Sequence, residues 1–278
     1  MGDIVFLDGT YLPEGEAKIS ISDRGLLMGD GVFVTICVRE GVPLFLKKHL
    51  HKLTEQAHKL SLAPIMLDEK VIEELIEKNA AFEGVWRLKI YYTAGDDVAM
   101  RLPFGRRGRV IMILKPYAAL DFRPLNLGFF PQPIMAPQSS LKSLSHIGRY
   151  MVMEDALQRG FDDNITTTTK GEVLETAFGN IFWIKGKEFY TPNPTLPLHF
   201  GVTISVVVAM MRELGFASHF VNVPFLQIPE EAFLFRCNTM GGIRPIVQVE
   251  GQSFPRDLAL EERVLCAYEK EAAVFAVL

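Results

Sequence analysis

The chain has few cysteines and no long apolar run. Its three cysteines, Cys37, Cys237 and Cys266, are scattered without CxxC spacing. An odd set of this kind argues against a disulfide framework or a cysteine-based zinc site and fits a reducing cytoplasm. No stretch approaches the roughly 18 uninterrupted apolar residues that a membrane span needs. The opening MGDIVFLDGTYLP has no charged segment followed by a long apolar run, so no signal peptide is expected. Positive charge is not in excess either, since 29 lysines and arginines face 33 aspartates and glutamates for a net charge of −4. That balance supplies no general attraction to nucleic acid or to an anionic membrane. The basic run Arg106-Arg107-Gly108-Arg109 reads first as a solvated loop and second as a phosphate contact. His49 and His51 form no metal pair, because side chains two apart on a helix point away from each other. Internal repeats and low-complexity segments are missing, and no metal site is expected.

Core material is plentiful. Apolar residues make up 49% of 278, enough for one large domain or two ordinary ones. The first forty-six residues read as β strands, with turns at Asp8-Gly9 and at Arg39-Glu40-Gly41. Residues 47–61 place Leu50, Leu53, Ala57 and Leu60 on one helical stripe, and 68–82 do the same with Val71, Ile72, Leu75 and Ile76. Strands at 86–94 and 109–117 flank a long hairpin loop or flap. Pro116 and Pro124 bracket a linker, which divides the chain into a domain at 1–116, a linker at 117–124 and a second domain at 125–278. The second domain reads as a strand at 125–135, a helix at 147–160, and three or four strands between 164 and 192. A helix at 202–214, a strand at 232–238, a hairpin around Glu250-Gly251 and a helix at 257–275 complete it. Strands and helices interleave without strict alternation, which predicts mixed sheets rather than a doubly wound parallel one.

One stretch carries chemistry. Lys142 is followed by Glu175 and then by Asn180. A lysine amine and a carboxylate are what a protein needs to hold and tune pyridoxal 5'-phosphate (PLP). The amine forms a Schiff base with the aldehyde, and the carboxylate keeps the pyridine nitrogen protonated so that the ring accepts electrons. Desolvation in a pocket lowers a lysine pKa and frees its lone pair. Each residue also has a plainer reading: Lys142 alone could be a surface lysine, and Glu175 could face water from an alternating strand. Ser139-x-x-Lys142 matches the S-x-x-K of serine β-lactamases, but the SDN-like and KTG-like elements that should follow are missing. Gly201-Val202-Thr203 opens a helix, where backbone N–H groups beside a hydroxyl can bind phosphate. Taken alone, that glycine is an ordinary residue before a helix.

Five ordered stretches over nearly the full length resemble the fold-type IV PLP enzymes, a family of branched-chain aminotransferases, D-amino acid aminotransferases and 4-amino-4-deoxychorismate lyases. SDRGLLMGDGVF (22–33) resembles the family's N-terminal signature, and HLHKL (49–53) its segment with a cationic phosphate ligand. Residues 142–180 resemble the catalytic-lysine region. LPLHFGVT (196–203) and CNTMGGIRPI (237–246) resemble the two turns that cradle phosphate. The resemblance implies a two-domain α+β architecture like that of D-amino acid aminotransferase, with a small N-terminal α/β domain and a larger C-terminal mixed β-barrel-like domain. It also implies PLP as cofactor, a small-molecule substrate, a homodimer, and no nucleic-acid or membrane partner. Lys142 would then bond the aldehyde and Glu175 the ring nitrogen. Gly201, Val202, Thr203, Asn238 and Thr239 would hold the phosphate, Lys52 would neutralise it, and Asn180 and His146 would complete the cofactor site. His146 would bond the ring oxygen or cap its helix.

Four positions depart from the family pattern. Lys52 and Ile204 stand where arginine is usual, and lysine offers a point charge rather than a fork. Val34 replaces the glutamate of the aminotransferase GDGVFE, and His146-Ile147 occupy the neighbourhood of a usual tyrosine. Asn238 before Thr239, and Thr35 within GVFVT, resemble the lyases more than the aminotransferases. The reading is therefore conversion of 4-amino-4-deoxychorismate to 4-aminobenzoate and pyruvate, a step of folate biosynthesis. Lys142 would act as base, and Lys142 or Thr35 as acid. Arg101, or in its place Arg106 or Arg107, would bind the substrate carboxylates. The alternatives are an aminotransferase of D-amino acids or branched-chain amino acids, and a non-enzymatic relative.

Overall fold

The computed structural model describes residues 3–97, 99, 101–102, 105–118, 122–134 and 140–274. The chain forms two compact units. One contains Met1–Ala119 and also Lys142–Ser145; the other comprises Leu120–Leu141 and His146–Val274. The split falls inside the proline-bracketed segment, and the four residues beginning at Lys142 return to the first unit.

The first unit is built on an antiparallel sheet of β1 (Ile4–Leu7), β2 (Thr10–Pro13), β3 (Gly31–Arg39), β4 (Val42–Pro43), β5 (Val85–Thr93) and β6 (Arg109–Pro116), in the order β2-β1-β6-β5-β3-β4. Alternation along β3 and β5 sends Val32, Val34, Ile36, Val38, Leu88, Ile90 and Tyr92 to one face. There they pack on the apolar stripes of α2 (Leu46–Lys59) and α3 (Glu69–Lys78), with Leu53, Ala57, Ile72 and Leu75 fully buried. Each such valine, leucine or isoleucine side chain contributes about 1.5–3 kcal/mol by leaving water. Asp68 starts α3 by accepting the Lys70 N–H at 3.0 Å.

Two local expectations were wrong here. The strand expected after the Gly41 turn is only the two-residue β4, because the chain turns through Phe45 (φ 55°) into α2. A short helix α1 (Arg24–Met28) interrupts the β region. Asp23 caps it through the Gly25 N–H at 2.7 Å, and Gly29 ends it in the left-handed conformation.

Among the described residues the second unit holds nine strands: β7 (Leu125–Phe129), β8 (Asp163–Thr167), β9 (Val173–Thr176), β10 (Asn180–Lys185), β11 (Glu188–Pro192), β12 (Ala217–Val221), β13 (Phe233–Asn238), β14 (Gly242–Val249) and β15 (Gln252–Ser253). Its helices are α4 (Ile147–Gln158), α5 (Val202–Glu213) and α6 (Leu258–Val274). Six strands run β10-β13-β14-β7-β8-β9, and β9 pairs back onto β10 through Glu175 and Asn180. That pairing closes a mixed barrel, in which β7 is parallel to both neighbours, and closure removes the exposed edges of the ring. The strand expected over 125–135 stops at Phe129, short of Pro131 and Pro133, which cannot donate to a ladder. Strand β12 was not anticipated; it is mostly exposed and carries no apolar alternation. Among the described residues, no helix is long and apolar enough to cross a membrane.

Candidate active site

In the first unit the Lys142 segment adds a short strand to β3. The Phe33 N–H donates to the Lys142 carbonyl at 3.0 Å, the Leu144 N–H donates to Gly31 O at 3.0 Å, and Ser143 bridges Val32. Gly31 is what permits this approach. A Cβ there would lie 2.6 Å from Tyr92 O and 2.7 Å from Leu144 Cδ1. From α2, Gln56 Oε1 accepts the Lys142 N–H at 3.0 Å. The Lys142 ammonium sits 4.6 Å from the centroid of the Phe33 ring, whose face attracts a cation.

Phe33 belongs to the face of the sheet opposite the core, and so do Thr35 and Cys37 by alternation. Register places Tyr91 opposite Phe33, Lys89 opposite Thr35 and Arg87 opposite Cys37. The Phe33 and Tyr91 rings stack at 5.6 Å, with Lys89 Nζ 5.6 and 5.8 Å from their centroids. Burial pushes the Lys89 ammonium to deprotonate below the ordinary lysine range, and the Arg87 cation adds to the effect. Behind the segment, His49 is buried on α2. Desolvation, with a smaller contribution from the Lys142 charge, pushes its pKa down to about 3, so the imidazole is neutral. Its Nε2 and the Gln56 Nε2 are buried without hydrogen-bond partners among the described residues.

Several residues singled out from the sequence have other work in this unit. Lys52 bonds Glu55 at 3.1 Å on its own helix, and Glu55 also holds Lys59. Arg106 is ion-paired with Asp97 and donates to Asp96 O. Arg109 is ringed by Asp8, Asp23 and Asp96. Arg101 lends its carbonyl to Arg24, while its side chain, like that of Arg107, is exposed. Val34 lies in the core, so its replacement of glutamate takes no polar group from the Phe33 face. Val98, Met100, Pro103 and Phe104 of the flap, Ser139 of the S-x-x-K match, residues 119–121 of the linker and residue 275 of the last helix lie outside the described residues.

In the second unit the barrel closure does the positioning. Glu175, on β9, is buried, and its Oε1 accepts the His199 N–H at 2.8 Å and Arg149 Nη2 at 2.5 Å. Asn180, paired with it on β10, donates through Nδ2 to His199 O at 2.8 Å and accepts the Gly201 N–H through Oδ1 at 3.2 Å. Together they hold the 199–201 loop that feeds α5. Gly201 is the extended N-cap of that helix, and a Cβ on it would lie 3.1 Å from Asn180 Oδ1. The first N–H groups of α5 have no partner within the helix and point toward its N-terminus. The Thr203 hydroxyl lies 3.5 Å from the Thr239 hydroxyl. Asn238 shapes the second turn, donating to Phe178 O at 2.8 Å and accepting the Gly241 N–H at 2.5 Å. Helix N–H groups and two hydroxyls form a set of donors that suits a phosphate dianion. Val202 and Ile204 are buried, so Ile204 brings no cation to that helix.

His146 stands at the start of α4 without a capping hydrogen bond, and its ring packs on Tyr150 and Phe178. It occupies the N-cap position of that helix without a side-chain cap bond. Sequence reasoning missed Arg149, Lys89, Arg87, Gln56 and His49. For Arg87 and Lys89 the signal was present: in WRLKIYYT they alternate with Leu88 and Ile90. Arg149 carried no such mark.

Residues 31–249 match the amino-transferase class IV family. The chain is similar to a D-alanine aminotransferase of Staphylococcus epidermidis, 25% identical over 261 residues that cover 90% of each chain. It is also similar to an aminodeoxychorismate lyase of Bacillus subtilis, 24% identical over 236 residues, 76% of this chain and 75% of the relative. Among solved structures, a hypothetical aminotransferase from Mycobacterium tuberculosis in its PLP-bound form superposes with a TM-score of 0.86. That pair is 20% identical, with 98% of this chain and 99% of the other covered.

Proposed function

The chain belongs to the amino-transferase class IV family, and from that premise we propose that it is a lyase that converts 4-amino-4-deoxychorismate to 4-aminobenzoate and pyruvate. It is an enzyme of a PLP-dependent family acting on small molecules, with pyridoxal 5'-phosphate as cofactor. When bound, PLP supplies an aldehyde that captures amines and a ring that draws electron density from the carbon bearing the amine.

The residues fit such a cofactor. Lys142 offers the amine for the aldehyde and Glu175 the carboxylate for the ring nitrogen. The N-terminal N–H groups of α5, with the Thr203 and Thr239 hydroxyls, offer the phosphate its donors. Gly201, Asn180 and Asn238 shape the two turns, and Val202 contributes its main-chain N–H. Lys52 would neutralise the phosphate, and His146 would bond the ring oxygen.

The observation that carries the lyase reading is Thr35, which shares the Phe33 face of β3 with the Lys142 ammonium. Lys142 Nζ takes the proton from the carbon that bears the substrate amine. The enolpyruvyl oxygen leaves as that ring becomes aromatic, and its methylene carbon receives a proton from the Thr35 hydroxyl or from Lys142. Atoms balance without any co-reactant. A dicarboxylate substrate calls for cations, and Arg87 and Lys89 on the same face join Arg101, Arg106 and Arg107 as candidates. Ile147, Tyr150, Met151 and Leu157 on α4 are each more than half exposed, and this supports a homodimer; the scattered, unpaired spacing of the three cysteines supports a cytoplasmic setting.

The test is to incubate the wild type and Lys142→Ala with enzymatically generated aminodeoxychorismate and to follow 4-aminobenzoate by fluorescence. Product from the wild type alone supports the lyase. A PLP-loaded protein that makes none, yet transfers amino groups between D-amino acids or branched-chain amino acids and 2-oxo acids, is a transaminase.

A further inference from the structure

We propose that Arg149 is a positioning residue for the cofactor ring: through Glu175 it sets how tightly the ring nitrogen holds its proton. The proposal rests on PLP binding with its nitrogen at Glu175, as above.

Arg149 lies in the first turn of α4 and reaches the strand junction that closes the barrel. Among the described residues its fork reaches the Glu175 carboxylate and two main-chain carbonyls. Nη2 donates to Glu175 Oε1 at 2.5 Å, while Nη1 donates to Ala177 O at 3.1 Å and Thr176 O at 3.5 Å. The two carbonyls fix the plane of the guanidinium, so its approach to the carboxylate is directed rather than incidental. The same Oε1 takes the His199 N–H. The carboxylate is therefore oriented by the protein before any ligand arrives, and the pair is well shielded, at 20% and 7% side-chain exposure.

The consequence is electrostatic. A bare buried carboxylate would give its whole charge to a protonated pyridine nitrogen beside it. Here a fixed cation lies against one of its oxygens, and the nitrogen meets an ion pair with no net charge. A proton on that nitrogen is then held less tightly than by a lone carboxylate, in a medium where charges a few ångströms apart interact by kilocalories. The ring remains an electron sink, but a tempered one. Lysine at position 149 would supply the charge without the fork.

The experiment uses the full-length protein loaded with PLP carrying ¹⁵N at the ring nitrogen, titrated by NMR in wild type, Arg149→Met and Arg149→Lys. The expected result is a ring nitrogen that binds its proton about ten-fold or more tightly in Arg149→Met, with Arg149→Lys returning toward the wild type. Arg149→Gln replaces the methionine variant if the latter fails to fold by circular dichroism. Equal midpoints in all variants, or no titration in any, overturn the proposal, even if the variants melt at lower temperature as loss of a structural strut alone would require. A wild type that takes up no PLP overturns the proposed cofactor and this inference with it. A wild type that loads PLP and is unmoved by the substitutions overturns only the role of Arg149.

Discussion

Gln56 Oε1 accepts the main-chain N–H of Lys142 at 3.0 Å, across 86 residues of sequence. A helix residue of the first unit thus fixes the backbone of the lysine, while the ladder to β3 fixes its register. Gln56→Met keeps the volume and removes the acceptor, leaving a shielded N–H unmatched. We expect a stability loss of about 1–2 kcal/mol in urea unfolding and a lower kcat. Inorganic phosphate binding should be unchanged, because the α5 N–H groups and the Thr203 and Thr239 hydroxyls are in the other unit and Lys52 keeps its place on α2. Weaker phosphate binding in this variant would contradict that assignment.

His49 gives a pH signature. Its pKa is held at about 3 against the ordinary 6.5, so below pH 6.5 the unfolded chain binds a proton that the folded chain refuses. Its effect is nil above that pH, and stability is lost as pH falls from about 6.5 toward 3. The loss is about 3 kcal/mol by pH 4. Denaturant midpoints of His49→Gln should fall less steeply over this range than those of the wild type. Parallel curves would show that His49 titrates normally.

Asn180 spans the 199–201 loop with both ends of its amide. Asn180→Leu should loosen the N-terminus of α5 and weaken PLP binding to the apoprotein roughly ten-fold, about 1.4 kcal/mol. Calorimetric titration reads this directly. Unaltered affinity would mean that Gly201 holds the helix entry without help.

Lys89 faces the same side of the sheet as Thr35 and deprotonates below the usual lysine range. Substrate affinity should therefore decline on the alkaline side sooner than an ordinary lysine would cause. Lys89→Arg should abolish that decline, and Lys89→Met should raise KM about ten-fold while leaving PLP binding intact. An unchanged KM in Lys89→Met would return the carboxylate contact to the flap arginines.

The elements were largely legible because their signals are local. The stripe through Leu53 and Ala57 and the alternation of Val32, Val34, Ile36 and Val38 are readable within ten residues, and both became core. Two elements escaped. Strand β12 has no apolar alternation and exists through its parallel pairing with β11. Helix α1 is only five residues long and depends on its caps at Asp23 and Gly29.

By itself the sequence determined which residue types are present for the chemistry: the amine of Lys142, the carboxylate of Glu175, the glycine and hydroxyls of the two turns, and the family to which their order belongs. Only the tertiary structure decided what each of them touches. Arg106 and Arg109, which read as part of a solvated basic loop, are matched by Asp97, Asp8, Asp23 and Asp96. Arg149, unremarkable in the sequence, lies on Glu175. The physical reason is range. Backbone periodicity acts over a few residues and can be read in order, whereas a charge is governed by whatever lies within a few ångströms, which the closure of a barrel brings from anywhere in the chain.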